Sequence, residues 1–398
     1  MLINNIMLYL FNLLNFILFN SVLFILFNYL SFLSLNININ SLSAFLSLVP
    51  LIFFFGFNYV GFFYFNNLTS FMFLLSIFSS LVCYNCVNNL LFWFFYELSI
   101  LPLIYLKFRG SVYSERFNSL WYFIGYISLS SFPLLFILLL DDVNQCYIYL
   151  NLVLFILFIV KIPLPPFHSW LPVVHAEANS YVSIVLSGYI MKLGIIGVYR
   201  YNITLLGLQD NFMCLIFLFS LFFFINSFIE LDTKRWLAFL SLSHILISYL
   251  GLNILSFLDY NILSYYCLGH GISAGLLFYL FFLLNGVSGS RNWLLINNVN
   301  NNSFIFRILL VISILTLASF PPTIQFISEI HILIHSLFNF NLILLYSFYL
   351  FIGGLVPLLL LSYLISRNNS TLNFNIYYTI NFLLYLLIFY CFFLPIFN

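Results

Sequence analysis

Lys161 is the side chain that fits its surroundings least, because it ends the apolar run LNLVLFILFIVK. Pro163, Pro165 and Pro166 follow it, and a proline inside a helix removes a backbone donor and kinks the chain. An ammonium at the centre of a membrane helix costs about 2.5–3.5 kcal/mol on insertion scales. Non-helical backbone at membrane depth persists only where protein covers it or water lines it. Lys161 therefore marks a candidate charged, hydrated site inside a membrane protein.

Glu97 is the acid that best complements this lysine. It lies in LLFWFFYELSILPLIYLKF (90–108), with apolar residues before and after it. Burial alone favours the neutral forms of both groups, whereas pairing keeps both charged. A Glu97–Lys161 pair whose protonation depends on its separation could act as a proton switch. The alternative is a helix-end carboxylate that reaches the membrane surface.

Four more ionisable residues fall inside apolar stretches. They are Lys192, His244, His270 and Glu329. Lys192 could extend to the surface, but it lies roughly 12 Å from the helix end at Arg200, at 1.5 Å per residue, which favours an internal site. The two histidines could be core residues bonded to backbone, or members of a polar row that relays protons, since imidazole titrates near neutrality. Glu329 follows a double proline in a second broken helix, which favours a functional role.

Three accessory candidates follow the first break, in HSWLPVVHAEA. They are His168, His175 and Glu177. Their positions suit the mouth of a channel or an ordinary loop. Their spacing differs from the H-E-x-x-H zinc motif, and no dinucleotide or P-loop motif occurs. Cys83 and Cys86 form a single C-x-x-C motif without a second pair of cysteines. A zinc or iron–sulfur site needs about four ligands. We therefore expect no metal and no cofactor on this chain, and no basic run suggests nucleic-acid binding.

The elements that must position these residues are membrane helices. The chain is 64% hydrophobic and 5% charged, whereas about 25% of residues are charged in an average soluble protein. A membrane helix needs about 20 apolar residues. Thirteen such segments are predicted, with no soluble domain: 7–33, 42–66, 68–87, 89–106, 117–140, 147–171, 178–200, 206–229, 236–256, 260–285, 303–336, 342–365 and 374–396.

Loop charges predict the orientation of these segments. The loops after segments 4, 8, 10 and 12 hold most of the cations: Lys107, Arg109, Arg116, Lys234, Arg235, Arg291 and Arg367. The loops after segments 5, 7, 9 and 11 hold Arg200, Asp141, Asp142 and Asp259. The first set should face the matrix or cytoplasm, with the N-terminus on that side and the C-terminus opposite. The N-terminus shows no amphipathic presequence, so the first apolar stretch is expected to remain in the mature chain.

Segments 6 and 11 are both broken by prolines and lie five segments apart, so they cross the membrane in opposite directions. Two inverted five-helix repeats with broken helices form a known transporter design. We therefore predict an all-α polytopic membrane protein with four regions. These are N-terminal helices in 1–67, a first repeat in 68–201, a second repeat in 202–365 and a C-terminal helix in 366–398.

The motifs together resemble one family of antiporter-like subunits of respiratory complex I, the NADH–ubiquinone oxidoreductase chain 4 family. The matching stretches, between about residues 90 and 335, are FFYELSILP, VKIPLPPFHSWLPVVHAEA, IMKLGIIGVYR, LDTKRWLAFLSLSHI, GHGISAGLLF and LASFPPTIQFISEI. The combination P-x-P-P-x-H-x-W-L-P-x-x-H-x-E-A separates chain 4 from the related chains 2 and 5.

The resemblance implies a role for each buried ionisable residue. Glu97 and Lys161 would form the coupled pair of one half-channel, and Lys192 would connect it onward. His244 and His270 would bridge the two halves, and Glu329 would be the exit-side carboxylate. The chain would pump protons while other subunits bind NADH, FMN, iron–sulfur clusters and ubiquinone and carry out electron transport.

The resemblance also implies a setting. The chain would lie in the mitochondrial inner membrane beside the chain 2 and chain 5 antiporter-like subunits, accessory subunits and lipids. It departs from the family in two ways: Glu97 falls on the fourth predicted helix rather than the fifth, as if one N-terminal helix were missing, and Ser288-Gly289-Ser290-Arg291 replaces the family's Glu-Arg-x-His-x-Arg loop. Two other readings stay open, namely a subunit of an independent cation/proton antiporter and a structural membrane subunit that does not pump.

Overall fold

The computed structural model describes residues 40–61, 67–110, 116–141, 148–201, 210–255, 260–296, 304–336, 340–366, 384–388 and 390. Over these residues its regular structure consists of helices. Helices in the first predicted repeat and before it are α1 Ser41–Gly61, α2 Asn67–Asn85, α3 Asn89–Leu98, α4 Leu101–Gly110, α5 Arg116–Asp141, α6 Ile148–Lys161, α7 Trp170–Glu177, α8 Ser180–Val185 and α9 Met191–Tyr201. Those that follow are α10 Asp210–Ile229, α11 Thr233–Ile254, α12 Tyr260–Ser288, α13 Trp293–Ile296, α14 Phe304–Leu317, α15 Ile324–His335 and α16 Phe340–Ser366.

The helical membrane fold predicted from composition is confirmed. Eight described helices, some of them interrupted, are long and apolar enough to cross a membrane, and four shorter apolar helices accompany them. The predicted segment 7–33 and most of 374–396 lie outside the described residues. Every other predicted segment contains a helix or a pair of helices at the expected place.

Both proline clusters interrupt a helix where predicted. The first break separates α6 from α7, and the second separates α14 from α15. Trp170 connects the two helices on either side of the first break, because its indole Nε1 at the start of α7 donates a hydrogen bond to the Val160 carbonyl in α6 at 3.1 Å. Thr323 caps the second one, since its hydroxyl accepts from the backbone N–H of Phe326 at 3.4 Å.

Two predicted helices are less regular than their apolar patterns indicated. The segment 89–106 turns at Ser99 and Ile100, which separates α3 from α4. Pro102 accounts for this turn, since it has no N–H to continue the α3 hydrogen bonds. The segment 178–200 contains a π-helix at Leu186–Ile190 between α8 and α9. Glu97 therefore lies in the last turn of α3, and Lys192 is the second residue after the π-helix.

The helices that carry most of the candidate residues lie inside the bundle. In the span Ser180–Tyr201, 94% of the most apolar stretch is buried, against 28% in Arg116–Leu139 of α5. Helix α12 is central, because it packs against α1, α8, α11 and α15. Lys192, His244 and His270 lie on the buried spans. Helices α5, α10 and α16 present broad apolar outer faces.

Candidate functional site

The predicted pair of Glu97 and Lys161 forms inside the fold. Lys161 Nζ lies 3.3 Å from Glu97 Oε1, and the two side chains are 4% and 13% exposed. The same ammonium donates to the Tyr96 carbonyl at 3.4 Å and lies 2.7 Å from the centroid of the Tyr96 ring. Lys161 is the last residue of α6, where the negative end of the helix dipole also favours a cation. A carboxylate, a carbonyl, an aromatic face and a helix end thus hold one ammonium.

Lys192 faces His270 of the central helix. Its Nζ lies 3.0 Å from His270 Nδ1 and also donates to the Ser187 carbonyl in the π-helix. Both side chains are 1% exposed. A lysine that contacts an imidazole nitrogen can exchange a proton with it directly, because the two atoms lie within hydrogen-bond distance.

Two glycines set the distance between the helices that carry Lys161 and Lys192. A Cβ at Gly194 would lie 2.6 Å from Ile162 Cγ1, and a Cβ at Gly197 would lie 2.4 Å from the Phe158 ring. Helix α9 therefore packs against α6 more closely than any larger side chain would permit. Over the described part of the chain, no direct hydrogen bond joins Lys161 to Lys192, so these two residues have no direct contact through which a proton could pass.

His244 and His270 lie next to each other on α11 and α12. Their ring centroids are 5.6 Å apart with an interplanar angle of 40°. Both rings are buried, and neither Nε2 atom has a hydrogen-bond partner within the described residues. A buried polar atom without a partner is a place where an ordered water or a transferred proton would be stabilised.

Glu329 closes the series. Its Oε1 lies 3.9 Å from His244 Nδ1 and accepts a hydrogen bond from the Ser319 hydroxyl at 3.0 Å. His244, Ser319, Glu329 and Tyr349 line one cavity of about 100 Å³. This space has apolar as well as polar residues in its lining and is large enough for water. We call the six residues the charged row: Glu97, Lys161, Lys192, His270, His244 and Glu329.

Sequence reasoning missed three tyrosines at this row. Tyr96 covers Lys161, while Tyr266 and Tyr349 place their hydroxyls 3.2 Å and 2.8 Å from His244 Nδ1. The chain has 28 tyrosines, so residue type alone gave no signal. Tyr266 does precede His270 by four residues, the spacing that places two side chains on one face of a helix.

The three accessory candidates lie apart from the contacts of the charged row. His168 lies in the first break against Phe223, with ring centroids 4.9 Å apart. His175 on α7 is buried and stacks on Phe278 at 5.0 Å. Glu177 is 6% exposed and ends α7. The structure brings none of these three side chains into direct hydrogen bonding with the row over the described residues.

Two cations hold the C-terminal end of α7. Lys234 donates to the Ala178 carbonyl at 2.8 Å, and Arg291 donates to the Ala176 carbonyl. Arg291 also lies 3.4 Å from Asp232, the N-cap of α11. The loop that departs from the family pattern therefore has a structural task. We call Lys234 and Arg291 the α7 clasp.

The α7 clasp and Arg200 lie at opposite ends of the span Ser180–Tyr201, because Lys234 binds Ala178 just before the span and Arg200 lies in its last turn. The clasp joins the loops after segments 6, 8 and 10. Arg200 donates to the carbonyls of Tyr84 and Cys86. These bonds connect the C-terminal end of α9 to the C-terminal end of α2. Cys86 and its neighbour Cys83 are buried thiols.

Comparisons with known proteins agree with this architecture. A family model described as NADH:quinone oxidoreductase/Mrp antiporter, TM matches residues 86–355. NADH-ubiquinone oxidoreductase chain 4 of Caenorhabditis elegans is 29% identical over 261 residues, which are 63% of each chain. The same-named protein of Locusta migratoria is 31% identical over 307 residues, 70% of this chain and 67% of that one. The chain thus aligns with just under two thirds of the first of these relatives.

Solved structures share the fold at low identity. A chain of respiratory complex I from Thermus thermophilus with bound NADH superimposes with a TM-score of 0.76 at 18% identity, covering 89% of this chain and 80% of that one. A chain of the Mrp complex from Dietzia sp. gives a TM-score of 0.71 at 17% identity, covering 84% and 68%. The family-model match over residues 86–355 and the 31% identical Locusta migratoria relative together show that the chain belongs to the NADH-ubiquinone oxidoreductase chain 4 family of antiporter-like membrane subunits.

Proposed function

We propose that this chain is a proton-translocating membrane-arm subunit of respiratory complex I. The observation that carries the proposal is the charged row, a buried series whose six ionisable groups lie in three close pairs, each between two different helices. The separations are 3.3 Å for Glu97–Lys161, 3.0 Å for Lys192–His270 and 3.9 Å for His244–Glu329. Intramembrane charges are costly, and paired ones mark proton or ion pathways.

Each member of the row has a proposed role. Glu97 and Lys161 form the coupled pair, whose separation sets whether the lysine holds its proton. Lys192 passes the proton to His270, and the two histidines carry it to Glu329. His168, His175 and Glu177 are assigned accessory positions near the first break, outside the direct contacts of the row.

The proposed setting is the mitochondrial inner membrane. The face that carries Lys234 and Arg291 is assigned to the matrix by its positive charge. The regions 68–201 and 202–365 are the proposed inverted repeats. Other subunits bind NADH, FMN, iron–sulfur clusters and ubiquinone, and the chain 2 and chain 5 subunits, accessory subunits and lipids contact the outer faces.

A charge-neutralising substitution tests the proposal. The assembled complex with Glu97→Gln, reconstituted in sealed vesicles, should oxidise NADH and translocate protons more slowly, because Lys161 loses its carboxylate partner. Glu230→Gln, at the partly exposed end of α10, is the matched control and should match the unsubstituted complex. Unchanged turnover and an unchanged number of protons per electron pair in Glu97→Gln would support a structural subunit instead.

The alternative of an independent antiporter predicts different partners. The Mrp-like fold is compatible with it, but similarity at that level of identity concerns the fold alone. Purification of the native chain decides between the two. Redox subunits in a stable stoichiometry support the complex I proposal, whereas sodium-driven proton exchange by an assembly without redox subunits would contradict it.

A further inference from the structure

Two tyrosine hydroxyls converge on one nitrogen of His244. Tyr349 OH lies 2.8 Å from His244 Nδ1, and Tyr266 OH lies 3.2 Å from the same atom. The two hydroxyls are 3.4 Å apart. All three side chains are at most 1% exposed. The nitrogen of His244 that faces Glu329 is therefore already in contact with phenols, which come from α12 and α16.

Counting protons assigns different tasks to the two hydroxyls. Tyr266 donates its single proton to the His244 backbone carbonyl at 3.1 Å, so toward Nδ1 its oxygen serves as an acceptor. The proton of Tyr349 is not committed to a backbone carbonyl by any contact that the described residues show. Tyr349 can therefore donate to Nδ1 when that nitrogen is bare, and accept from it when it is protonated.

Tyr349 also borders Glu329 through the shared cavity. Direct transfer between Nδ1 and Glu329 Oε1 is disfavoured, because their 3.9 Å separation exceeds a hydrogen bond. Tyr349 and Glu329 both line the cavity of about 100 Å³, which also contains the Ser319 hydroxyl. The Tyr349 hydroxyl thus contacts the His244 imidazole, and Tyr349 shares the cavity with the Glu329 side chain.

We propose that Tyr349 is a proton-relay residue between His244 and Glu329, and that Tyr266 is a positioning residue that orients the imidazole. The inference rests on the proposed function. In one step the Tyr349 hydroxyl gives its proton to Nδ1 while its oxygen receives a proton from the Glu329 carboxyl across the cavity. The phenol is unchanged, the imidazole becomes imidazolium and the carboxyl becomes carboxylate. The reverse step restores all three groups.

Tyr349→Phe in the assembled complex tests the relay, with Tyr346→Phe as its matched control. The two tyrosines lie on α16 with rings stacked at 5.7 Å, and both are buried. Tyr346, however, donates to the Glu329 backbone carbonyl at 3.0 Å and lies outside the relay. Tyr349→Phe should lower proton translocation about 100-fold, the lower range for one positioned proton-transfer group. Its solvent isotope effect should rise, whereas a loss of packing alone would leave that ratio unchanged.

Three comparisons separate the outcomes. If Glu97→Gln and Glu329→Gln leave translocation unchanged, the proposed function fails. If those variants lose translocation and Tyr349→Phe behaves like Tyr346→Phe, the proposed function stands and the relay is overturned. Tyr266→Phe keeps the test decisive if Tyr349→Phe does not assemble. Tyr266 orients the imidazole but donates its proton to the His244 carbonyl, so Tyr266→Phe should lower translocation without raising the solvent isotope effect. A loss as large as that of Glu329→Gln together with a raised isotope effect would contradict the assignment of the relay to Tyr349.

Discussion

Lys192 Nζ lies 3.0 Å from Nδ1 of His270, and this contact joins the first predicted repeat to the second. Helix α12 passes through the centre of the bundle, so His270 meets residues from both sides of it. A proton that moves along the charged row has to cross at this contact.

Replacing Lys192 separates its charge from its ability to release a proton. Lys192→Gln and Lys192→Arg should both reduce translocation by about 100-fold or more, since glutamine carries no transferable proton and a guanidinium keeps its proton at all accessible pH values. The measurement is proton uptake by sealed vesicles during NADH oxidation. Full translocation in Lys192→Arg would mean that Lys192 supplies only a fixed charge.

Single and double substitutions of the Glu97–Lys161 pair should be strongly non-additive. Glu97→Met leaves a buried ammonium without its carboxylate, and Lys161→Met leaves a partly buried carboxylate without its ammonium. Breaking one partner of a buried pair costs about 3–5 kcal/mol, whereas replacing both partners with apolar residues is often neutral. The thermal inactivation midpoint of the assembled complex should therefore fall in each single variant and recover in the double variant. A double variant that loses the sum of both effects would show that the two residues do not interact.

Gly194→Ala should disturb the spacing between α6 and α9. The added Cβ would lie 2.6 Å from Ile162 Cγ1 and 3.2 Å from the Ile162 backbone nitrogen. Because backbone cannot yield as a side chain does, we expect a destabilisation of about 1–3 kcal/mol and less assembled complex. Gly125→Ala on the exposed face of α5 is the control, since a Cβ there meets nothing within 4 Å. Equal yields of the two variants on native gels would count against a spacing role for Gly194.

Arg291→Gln should loosen the C-terminal end of α7. The substitution removes the donor to the Ala176 carbonyl and the ion pair with Asp232. Hydrogen exchange followed by mass spectrometry should show faster exchange at residues 174–178, because the last carbonyls of the helix lose a cationic partner. Arg235→Gln, a partly exposed neighbour on α11, should leave exchange there unchanged. Unaltered protection of α7 in Arg291→Gln would show that Lys234 suffices for the clasp.

The parts of this molecule that could be predicted from sequence are those where one residue type is physically costly. Lys161 and Glu97 could be paired because isolated opposite charges in a membrane need each other. The two breaks followed from prolines. The turn at Ser99 was missed although Pro102 was visible, because the apolar pattern around it continues without interruption.

Contacts between residues of ordinary type could not be predicted in this way. Tyr349 lies on an apolar helix among many other aromatic residues, and its contact with His244 depends on the packing of both α16 and α11 against α10. The contact between Lys192 and His270 joins two basic groups, which charge pairing alone would not suggest. The π-helix before Lys192 packs against α12, and the apolar pattern of the sequence gave no signal for it.

The glycine contacts between α6 and α9 have a consequence for how the row conducts. Every close contact of the row joins side chains from two different helices. The slowest proton transfer between two helices therefore limits the rate along the whole row. Within the described residues no hydrogen bond joins Lys161 to Lys192, and these two side chains lie on α6 and α9, which Gly194 and Gly197 allow to pack closely. A movement of α9 along α6 would change the position of Lys192 relative to both Lys161 and His270. The interface at Gly194 and Gly197 therefore fixes how the Glu97–Lys161 pair is placed relative to the Lys192–His270 pair, through the position of α9 on α6.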